Sequence, residues 1–154
     1  MPRHATPEKI LVLHGPNLNL FGRREPHIYG TMTLEQINER LRTLAAKVQV
    51  QLIIVQSNVE GVLVDTFHKH MDEVAGALIN PGGLTQHSVS LHDAIKAMPF
   101  PVIEVHMSNI AAREEWRHHS IISSAAKGTV QGLGWRSYSA ALRTLVEIIR
   151  EPKK

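Results

Sequence analysis

The feature that most constrains the fold is an alternation of short apolar runs with segments of helical periodicity. Residues 9–14, 52–55, 77–79, 102–107 and 129–133 are short and mostly apolar, which is typical of buried strands. Between these runs, apolar residues recur every three or four positions, as in amphipathic helices. Since parallel strands need crossover connections, the alternation predicts a parallel sheet covered by helices on both faces.

The helical segments begin and end at recognisable signals. Thr33 and Gln36 form a capping-box pattern in front of the periodic residues Leu34, Ile37, Leu41, Leu44 and Val48. Further helices are predicted over 59–74 and 88–98, and a last one carries Tyr138, Leu142, Leu145 and Ile149 on one face. We predict an α/β, flavodoxin-like three-layer sandwich whose five-stranded parallel sheet has the order 2-1-3-4-5.

The length of 154 residues is that of one domain, so we expect a single catalytic domain over 1–154, with a core at about 9–149 and short flexible termini. A chain of this size buries roughly 68–70 % of its unfolded surface, enough for a core without disulfides or a structural metal. The chain has no cysteine, which excludes a catalytic thiol, an iron–sulfur cluster and a CxxC redox motif.

Charge and composition limit the partners. The net charge is +3, yet the basic residues form no run and aromatic residues are only 5 % of the chain, so no nucleic-acid partner is expected. No apolar run approaches the ~20 residues of a membrane span, and the N-terminus lacks a secretory signal, so we expect a cytoplasmic protein with no membrane partner. The histidine spacings predict no metal site. A small anionic substrate fits the positive charge.

Three polar segments, at 15–32, 80–87 and 106–117, each follow a predicted strand. Ligands of doubly wound sheets bind outside the carboxyl ends of the strands, so one crevice is expected to gather all three segments. The glycines of the first segment form neither the GxGxxG fingerprint nor a P-loop, which excludes both of these nucleotide-binding motifs.

The first segment pairs a tyrosine with arginines. An ordinary tyrosine, with a pKa near ~10, is a poor base at neutral pH, but a close guanidinium stabilises the phenolate. This makes Tyr29 a candidate general base, with one of the nearby arginines, Arg23 or Arg24, as its partner. The alternative is that Tyr29 packs on the loop while Arg23 and Arg24 pair with Glu25 at the surface.

The third segment follows a strand that carries a carboxylate and an imidazole. Glu104 and His106 are two residues apart, so both point to the same face, where the carboxylate orients the imidazole as a general acid. The alternative is a core histidine satisfied by its neighbour. Arg113 and Arg117, four apart, either share a helical face and bind a carboxylate or lie on a solvated face.

The second segment adds polar groups beyond a strand and at a helix start. Backbone N–H groups at the helix start favour an anion or a polar oxygen there, and the candidates for binding are Asn80, Thr85, Gln86, His87 and Ser88. The alternative is that Thr85 or Ser88 caps the following helix and Asn80 holds the turn. No serine lies in a nucleophile-elbow context. A base, an acid, amides and arginines together suit proton abstraction beside a carbonyl with loss of a leaving group.

These segments together resemble the type II 3-dehydroquinate dehydratases. The resemblance runs from about Lys9 to Ile149, through LHGPNLNLFGRREPHIYG, QSNVEG, LINPGGLT, IEVHMSN, AREEWRHHS and GLG. It implies reversible dehydration of 3-dehydroquinate to 3-dehydroshikimate by anti elimination through an enolate, without a metal or organic cofactor. The reaction belongs to the shikimate pathway of aromatic amino acid biosynthesis and to quinate catabolism. The resemblance also implies a homo-oligomer, a dodecamer built as a tetramer of trimers.

The resemblance carries catalytic roles to individual positions. Tyr29 matches the base and Arg24 the arginine that favours its phenolate. Asn17 matches the residue that holds a water against the enolate. His106 matches the acid and Glu104 its partner.

It carries substrate-binding roles as well. Asn80, with the backbone of Met107 and Ser108, matches the carboxylate site, and Arg117 matches a contact to a ring hydroxyl. Arg113 matches an arginine of the mobile loop. Asp93, which by itself reads as a solvated charge, matches a residue that reaches the site of a neighbouring subunit.

One position departs from the pattern. After Asn-Pro-Gly-Gly-Leu-Thr the family usually continues His-Thr-Ser, whereas this chain has Gln86, His87 and Ser88. If Gln86 takes the place of the histidine, an amide supplies that ring-hydroxyl contact. The departure leaves two alternatives open: a flavodoxin-like binding module that lost the chemistry, and a lyase for a related polyol acid.

Overall fold

The fold is built on a five-stranded parallel sheet in a computed structural model that describes residues 5–154. The strands are β1 (Glu8–His14), β2 (Val50–Gln56), β3 (Gly76–Asn80), β4 (Val102–His106) and β5 (Gly128–Gln131). Their order is β2-β1-β3-β4-β5, which confirms the predicted flavodoxin-like topology. Our expectation of a flexible N-terminus falls partly on residues 1–4, which lie outside the described residues.

Helices cover both faces of the sheet. They are α1 (Pro26–Tyr29), α2 (Leu34–Lys47), α3 (Glu60–His70), α4 (Val89–Lys96) and α5 (Arg136–Arg150). The pleat of β1 sends Ile10 and Val12 into a core with α2 and α5, and Leu11 and Leu13 into a core with α3 and α4. The molecule is therefore the predicted three-layer sandwich.

Local signals in the sequence explain where α2 and α5 form. Thr33 and Gln36 make the predicted capping box at the start of α2, with both reciprocal hydrogen bonds present. The buried face of α5 includes Tyr138, Leu142 and Leu145, as predicted. Within residues 5–154, no helix is long and apolar enough to cross a membrane.

The segment 15–32 differs from the expected irregular loop, because it contains two helical turns. Leu18–Leu20 forms a 3₁₀ turn, and α1 places Tyr29 at its last position. Pro26 occupies the first turn of α1, where its fixed φ and missing N–H suit a helix start. The other predicted element bounds shift by a few residues, as where β5 begins at Gly128 rather than at 129.

The ends of β1 and β3 approach each other at a glycine. The Gly15 N–H donates to the carbonyl oxygen of Asn80 over 2.8 Å. A Cβ at Gly15 would lie 2.4 Å from the carbonyl oxygen of Pro81, so no other residue fits here without displacing the backbone. This contact holds the first two polar segments together at the carboxyl edge of the sheet.

A fully buried histidine ends β1. His14 Nε2 lies 2.8 Å from Asn38 Oδ1, and its Nδ1 lies 3.0 Å from the Tyr138 hydroxyl. Burial lowers the pKa of His14 to about 4, outweighing the hydrogen bond to Asn38, which raises it. The imidazole is therefore neutral at pH 7 and serves as a structural hydrogen-bonding group.

We predict that His14 makes folding stability fall in mild acid. The pKa of His14 is about 4 in the fold against 6.5 for an ordinary histidine, so between these values only the unfolded chain binds the proton. The contribution of His14 is complete above pH ~6.5 and falls by about 3 kcal/mol as the pH approaches ~4. Urea unfolding from pH 7.5 to 4.5 measures the slope.

His14→Gln should make this slope shallower by about one proton. His68→Gln, at an exposed position, is the matched control and should keep the wild-type slope. Equal slopes in wild type and His14→Gln would contradict the prediction.

Candidate active site

A pocket of about 160 Å³ lies at the carboxyl edge of the sheet, where the three polar segments converge. Of the predicted site residues, it is lined by Asn17, Arg24, Tyr29, Asn80, Gln86, His106, Met107, Ser108, Arg113 and Arg117. A larger groove of about 580 Å³ runs between α2 and α5 and contains none of these residues. Convergence of chemistry, rather than size, identifies the smaller pocket as the candidate site.

The phenol of Tyr29 lies among arginines. Arg113 Nη1 donates to the Tyr29 hydroxyl oxygen over 2.7 Å, whereas Arg24 places its Cζ 5.3 Å from the centroid of the ring. Arg24 also lies 3.4 Å from the carboxylate of Glu25, so the expected surface pairing exists beside the contact with the tyrosine. The hydrogen-bond partner of the phenol is Arg113, a pairing that sequence reasoning missed.

His106 and Glu104 lie on the same side of β4, as their spacing predicts. Glu104 is fully buried, and its Oε2 lies 3.5 Å from His106 Nε2, which has no hydrogen-bond partner within residues 5–154. This is an ion-pair distance, too long for a well-formed hydrogen bond. The carboxylate therefore acts on the imidazole mainly through its charge.

Three hydroxyl groups surround the carboxylate of Glu104. Ser120 and Ser123 each donate to it over 2.5 Å, and Thr129 donates over 2.8 Å. Burial raises the pKa of Glu104, but His106 and the hydroxyl groups of Ser120 and Ser123 outweigh it and hold the pKa below its usual range. Glu104 is therefore an ionised group in a buried site.

Sequence reasoning missed these three hydroxyl residues. Ser120 and Ser123 lie in the polar stretch after Arg117, and Thr129 is the residue of β5 that pairs with Glu104 of β4. The run Ser120-Ile121-Ile122-Ser123-Ser124 was the available signal. Its serines were not connected to Glu104 because the contact depends on how the segment folds back over β4.

The second segment supplies two amide side chains. Asn80, only 4 % exposed, donates from Nδ2 to the Tyr138 hydroxyl oxygen, while its Oδ1 accepts from the Gly82 N–H. Gln86 Nε2 donates to the carbonyl oxygen of Arg117, and its buried Oε1 has no partner within the described residues. Both amides are therefore held in one orientation at the wall of the pocket.

Of the two residues predicted as alternative caps, Ser88 caps the following helix and Thr85 does not. Ser88 Oγ accepts from the Leu91 N–H and caps α4. Thr85 donates its hydroxyl to the carbonyl oxygen of Gly82 over 2.6 Å. Both side chains stabilise the backbone that carries Gln86.

Arg113 and Arg117 do not share a helical face, since Arg113 is extended and Arg117 ends the following 3₁₀ turn, Glu115–Arg117. They meet through Glu114, whose Oε2 lies 2.9 Å from Arg117 Nε and 3.7 Å from Arg113 Nε. Together with Arg24, they place three guanidinium groups around one small pocket. The arrangement favours a negatively charged ligand.

Two further candidates occupy special positions. Asn17 lines the pocket with a left-handed backbone, φ 67°, which asparagine tolerates better than most residues. Asp93 lies outside the pocket on α4, with 69 % of its side chain exposed and its carboxylate 2.9 Å from His92. Within one subunit, Asp93 therefore makes no contact with the site.

Among residues 5–154, no group of three histidine or acidic side chains is placed to hold a metal ion.

Comparison with known proteins gives consistent matches over nearly the whole chain. A family model described as dehydroquinase class II matches residues 8–146. The 3-dehydroquinate dehydratase of Halothermothrix orenii is 48 % identical over 143 residues, 93 % of this chain and 97 % of that protein. The same enzyme of a Nostoc species is 51 % identical over 140 residues, 91 % of this chain and 95 % of that one.

Solved structures agree. A type II dehydroquinase from Propionibacterium acnes superposes with a TM-score of 0.88 at 40 % identity, covering 91 % of this chain and 97 % of its own. A 3-dehydroquinate dehydratase-like protein from Bifidobacterium longum superposes with a TM-score of 0.71 at 26 % identity, covering 94 % and 99 %.

The hydroxyl groups around Glu104 generate a stability prediction. Ser123→Ala removes one donor from a buried carboxylate, so the free energy of unfolding should fall by about 1.5–3 kcal/mol. Ser124→Ala, at the neighbouring exposed position, should change the free energy by less than about 0.5 kcal/mol. Urea unfolding at pH 7.5 makes the comparison, and equal losses in both variants would refute the role of Ser123.

Proposed function

The chain belongs to the class II dehydroquinase family and has 3-dehydroquinate dehydratase activity, and we propose that Tyr29 and His106 perform the elimination. The observation that carries this assignment is their placement in one pocket, Tyr29 under the guanidinium of Arg113 and His106 beside the ionised Glu104. The reaction is a reversible loss of water that yields 3-dehydroshikimate, and it serves the shikimate pathway or quinate breakdown.

Tyr29 acts as the base. Its phenolate takes the proton from the carbon beside the ketone, and the electron pair of that C–H bond forms an enolate. Arg113 donates a hydrogen bond to the phenolic oxygen, and Arg24 places a second positive charge near the ring. Asn17 holds a water against the oxygen of the enolate, where negative charge develops.

His106 acts as the acid. The enolate collapses to a carbon–carbon double bond as the C–O bond of the hydroxyl on the adjacent ring carbon breaks, and the imidazolium gives its proton to the departing oxygen. The negative charge of Glu104, 3.5 Å away, stabilises the imidazolium before the transfer. Proton abstraction and loss of water take place on opposite faces of the ring, which makes the elimination anti.

The remaining pocket residues hold the substrate. Its carboxylate is bound by the amide of Asn80 and by the backbone N–H groups of Met107 and Ser108 at the end of β4. Arg117 contacts a ring hydroxyl, and Arg113 adds positive charge next to the base. Three guanidinium groups at the pocket favour an anionic polyol over a neutral one.

The activity test follows the ultraviolet absorbance of the conjugated enone after dehydroquinate is added. Wild type should turn over, and Tyr29→Phe and His106→Ala should each lower kcat by about 10²–10⁴ because each removes a proton-transfer group. His68→Ala, at an exposed position, is the matched control and should retain wild-type kcat. Full activity in Tyr29→Phe or His106→Ala would refute the assigned roles, and tight binding without turnover by wild type would indicate a binding module.

We further propose that Gln86 accepts a hydrogen bond from a ring hydroxyl of the substrate. Its Nε2 is held by the carbonyl oxygen of Arg117, which leaves the buried, unpartnered Oε1 for the ligand. An unsatisfied buried acceptor costs free energy that a substrate hydroxyl recovers on binding.

Gln86→Leu should therefore raise KM about tenfold, with a smaller change in kcat, since one hydrogen bond to the bound substrate is lost. The neighbouring His87→Gln, at an exposed position, should leave KM unchanged. Unchanged KM in Gln86→Leu would contradict the contact, and a panel of related polyol acids on Gln86→His would reveal any change in specificity.

We also propose that the protein is a homo-oligomer, a dodecamer of four trimers, with Asp93 near the site of a neighbouring subunit. Val59 and Val89 are 58 % and 63 % exposed, large values for apolar residues. They flank Glu60 and Ser88, whose side chains hydrogen bond and so bring the starts of α3 and α4 together. The apolar surface next to the helix of Asp93 is the surface that a second copy would cover.

Light scattering after size exclusion should therefore give the mass of an oligomer. Val89→Glu should lower both the mass and the activity, because a charge in the covered surface opposes association. Thr43→Glu, on the opposite face of the sheet, is the control and should change neither. A monomeric, fully active wild type would refute the proposal.

A further inference from the structure

We propose that Asn38, His14 and Tyr138 are positioning residues that fix the amide of Asn80 in the substrate site through one continuous chain of hydrogen bonds. The inference rests on the proposed function, in which Asn80 binds the carboxylate of the substrate. It adds three residues that touch no substrate and act on binding through Asn80.

The four side chains come from four separate elements. Asn38 lies on α2, His14 ends β1, Tyr138 lies on α5 and Asn80 ends β3. The consecutive distances are 2.8 Å from Asn38 Oδ1 to His14 Nε2, 3.0 Å from His14 Nδ1 to the Tyr138 hydroxyl, and 2.9 Å from that hydroxyl to Asn80 Nδ2. Each side chain is at most 7 % exposed, so water does not compete for these groups.

The direction of every hydrogen bond follows from the two ends of the chain. At one end, the Gly82 N–H can only donate, so the atom of Asn80 that faces it is the oxygen and the atom that faces Tyr138 is Nδ2. At the other end, Asn38 Oδ1 can only accept, so His14 carries its hydrogen on Nε2.

The middle of the chain then has one solution. A neutral imidazole has a single N–H, so His14 Nδ1 is an acceptor, and the Tyr138 hydroxyl donates to it. The same hydroxyl oxygen accepts from Asn80 Nδ2. The two ends thus agree on one pattern, in which each of these hydrogen bonds has one donor and one acceptor.

This pattern leaves one group of Asn80 free. Its Oδ1 and one Nδ2 hydrogen are bound to the protein, and the second Nδ2 hydrogen remains for a ligand in the pocket that Asn80 lines. A flipped amide would set its oxygen against the Tyr138 oxygen, whose hydrogen is already given to His14, and its NH₂ against the Gly82 N–H. The hydrogen-bond chain therefore holds Asn80 so that it presents an N–H donor, and never an acceptor, to an anionic group.

The test is a double-mutant cycle on steady-state kinetics with dehydroquinate. Tyr138→Phe removes the hydroxyl and frees the Asn80 amide to turn, so KM should rise about tenfold while kcat stays within about twofold, a change of about 1.4 kcal/mol in binding. In an Asn80→Ala background, Tyr138→Phe should have no further effect on KM, because the residue through which it acts is gone. Additive effects would overturn the inference.

Leu142→Val is the matched control, because it alters the same buried face of α5 without touching the chain of hydrogen bonds. It should lower the melting temperature and leave KM unchanged, which separates positioning from general loss of stability. Asn38→Leu tests the far end and should also raise KM, so the inference stays testable if Tyr138→Phe folds poorly. If wild type is active and KM is unchanged in both Tyr138→Phe and Asn38→Leu, the positioning role alone is overturned. If wild type is inactive, the proposed function is overturned.

A competitor assay identifies the group of the ligand that Asn80 binds. Inhibition constants are measured for a cyclohexane polyol carboxylate and for its methyl ester on wild type and Tyr138→Phe. The substitution should weaken binding of the acid about tenfold and of the ester much less, because a charged carboxylate accepts a stronger hydrogen bond from the oriented N–H than a neutral ester does. Equal weakening of both ligands would contradict the assignment.

Discussion

The candidate site depends on the close approach of β1 and β3 at their carboxyl ends. Because Gly15 has no side chain, its N–H reaches the carbonyl oxygen of Asn80, and the two polar segments leave the sheet side by side. A parallel sheet supplies the rest of the geometry, since all its strands end at the same edge and β4, carrying His106, is the next strand along. The pocket is therefore a consequence of strand order before any catalytic side chain is considered.

Most of that geometry was predictable from the sequence. The alternation of apolar runs and helical segments predicted a parallel sheet covered by helices on both faces, and 2-1-3-4-5 was the order chosen among doubly wound sheets. The polar segments after 14, 79 and 105 predicted which residues would meet. These patterns are local in sequence. They define a topology because parallel strands must be joined by right-handed crossovers, which limits the possible arrangements. Ten of the twelve candidate residues line one pocket for this reason.

The partners of those residues were not predictable in the same way. The hydrogen bond from Arg113 to Tyr29 spans 84 positions, and Ser120, Ser123 and Thr129 reach Glu104 from a segment with no regular periodicity. These contacts depend on how irregular segments fold back over the sheet. Such segments have neither the strand periodicity of two residues nor the helical periodicity of 3.6, so their course cannot be read from the sequence. The sequence does carry a signal for the helical turn that contains Tyr29, because Pro26 is typical of the first turn of a helix. The prediction of a loop over 15–32 did not include it.

The proposed chemistry makes opposite demands on two groups in one small pocket, since Tyr29 must lose a proton while His106 must hold one. Uniform positive charge would favour the phenolate but oppose the imidazolium. The protein separates the two environments: guanidinium groups surround the tyrosine, whereas a buried carboxylate lies behind the histidine. Hydroxyl donors keep that carboxylate ionised in spite of its burial, since they replace the water that it gave up. The proposed acid and base roles rest on this division of charge, to which residues from different elements contribute.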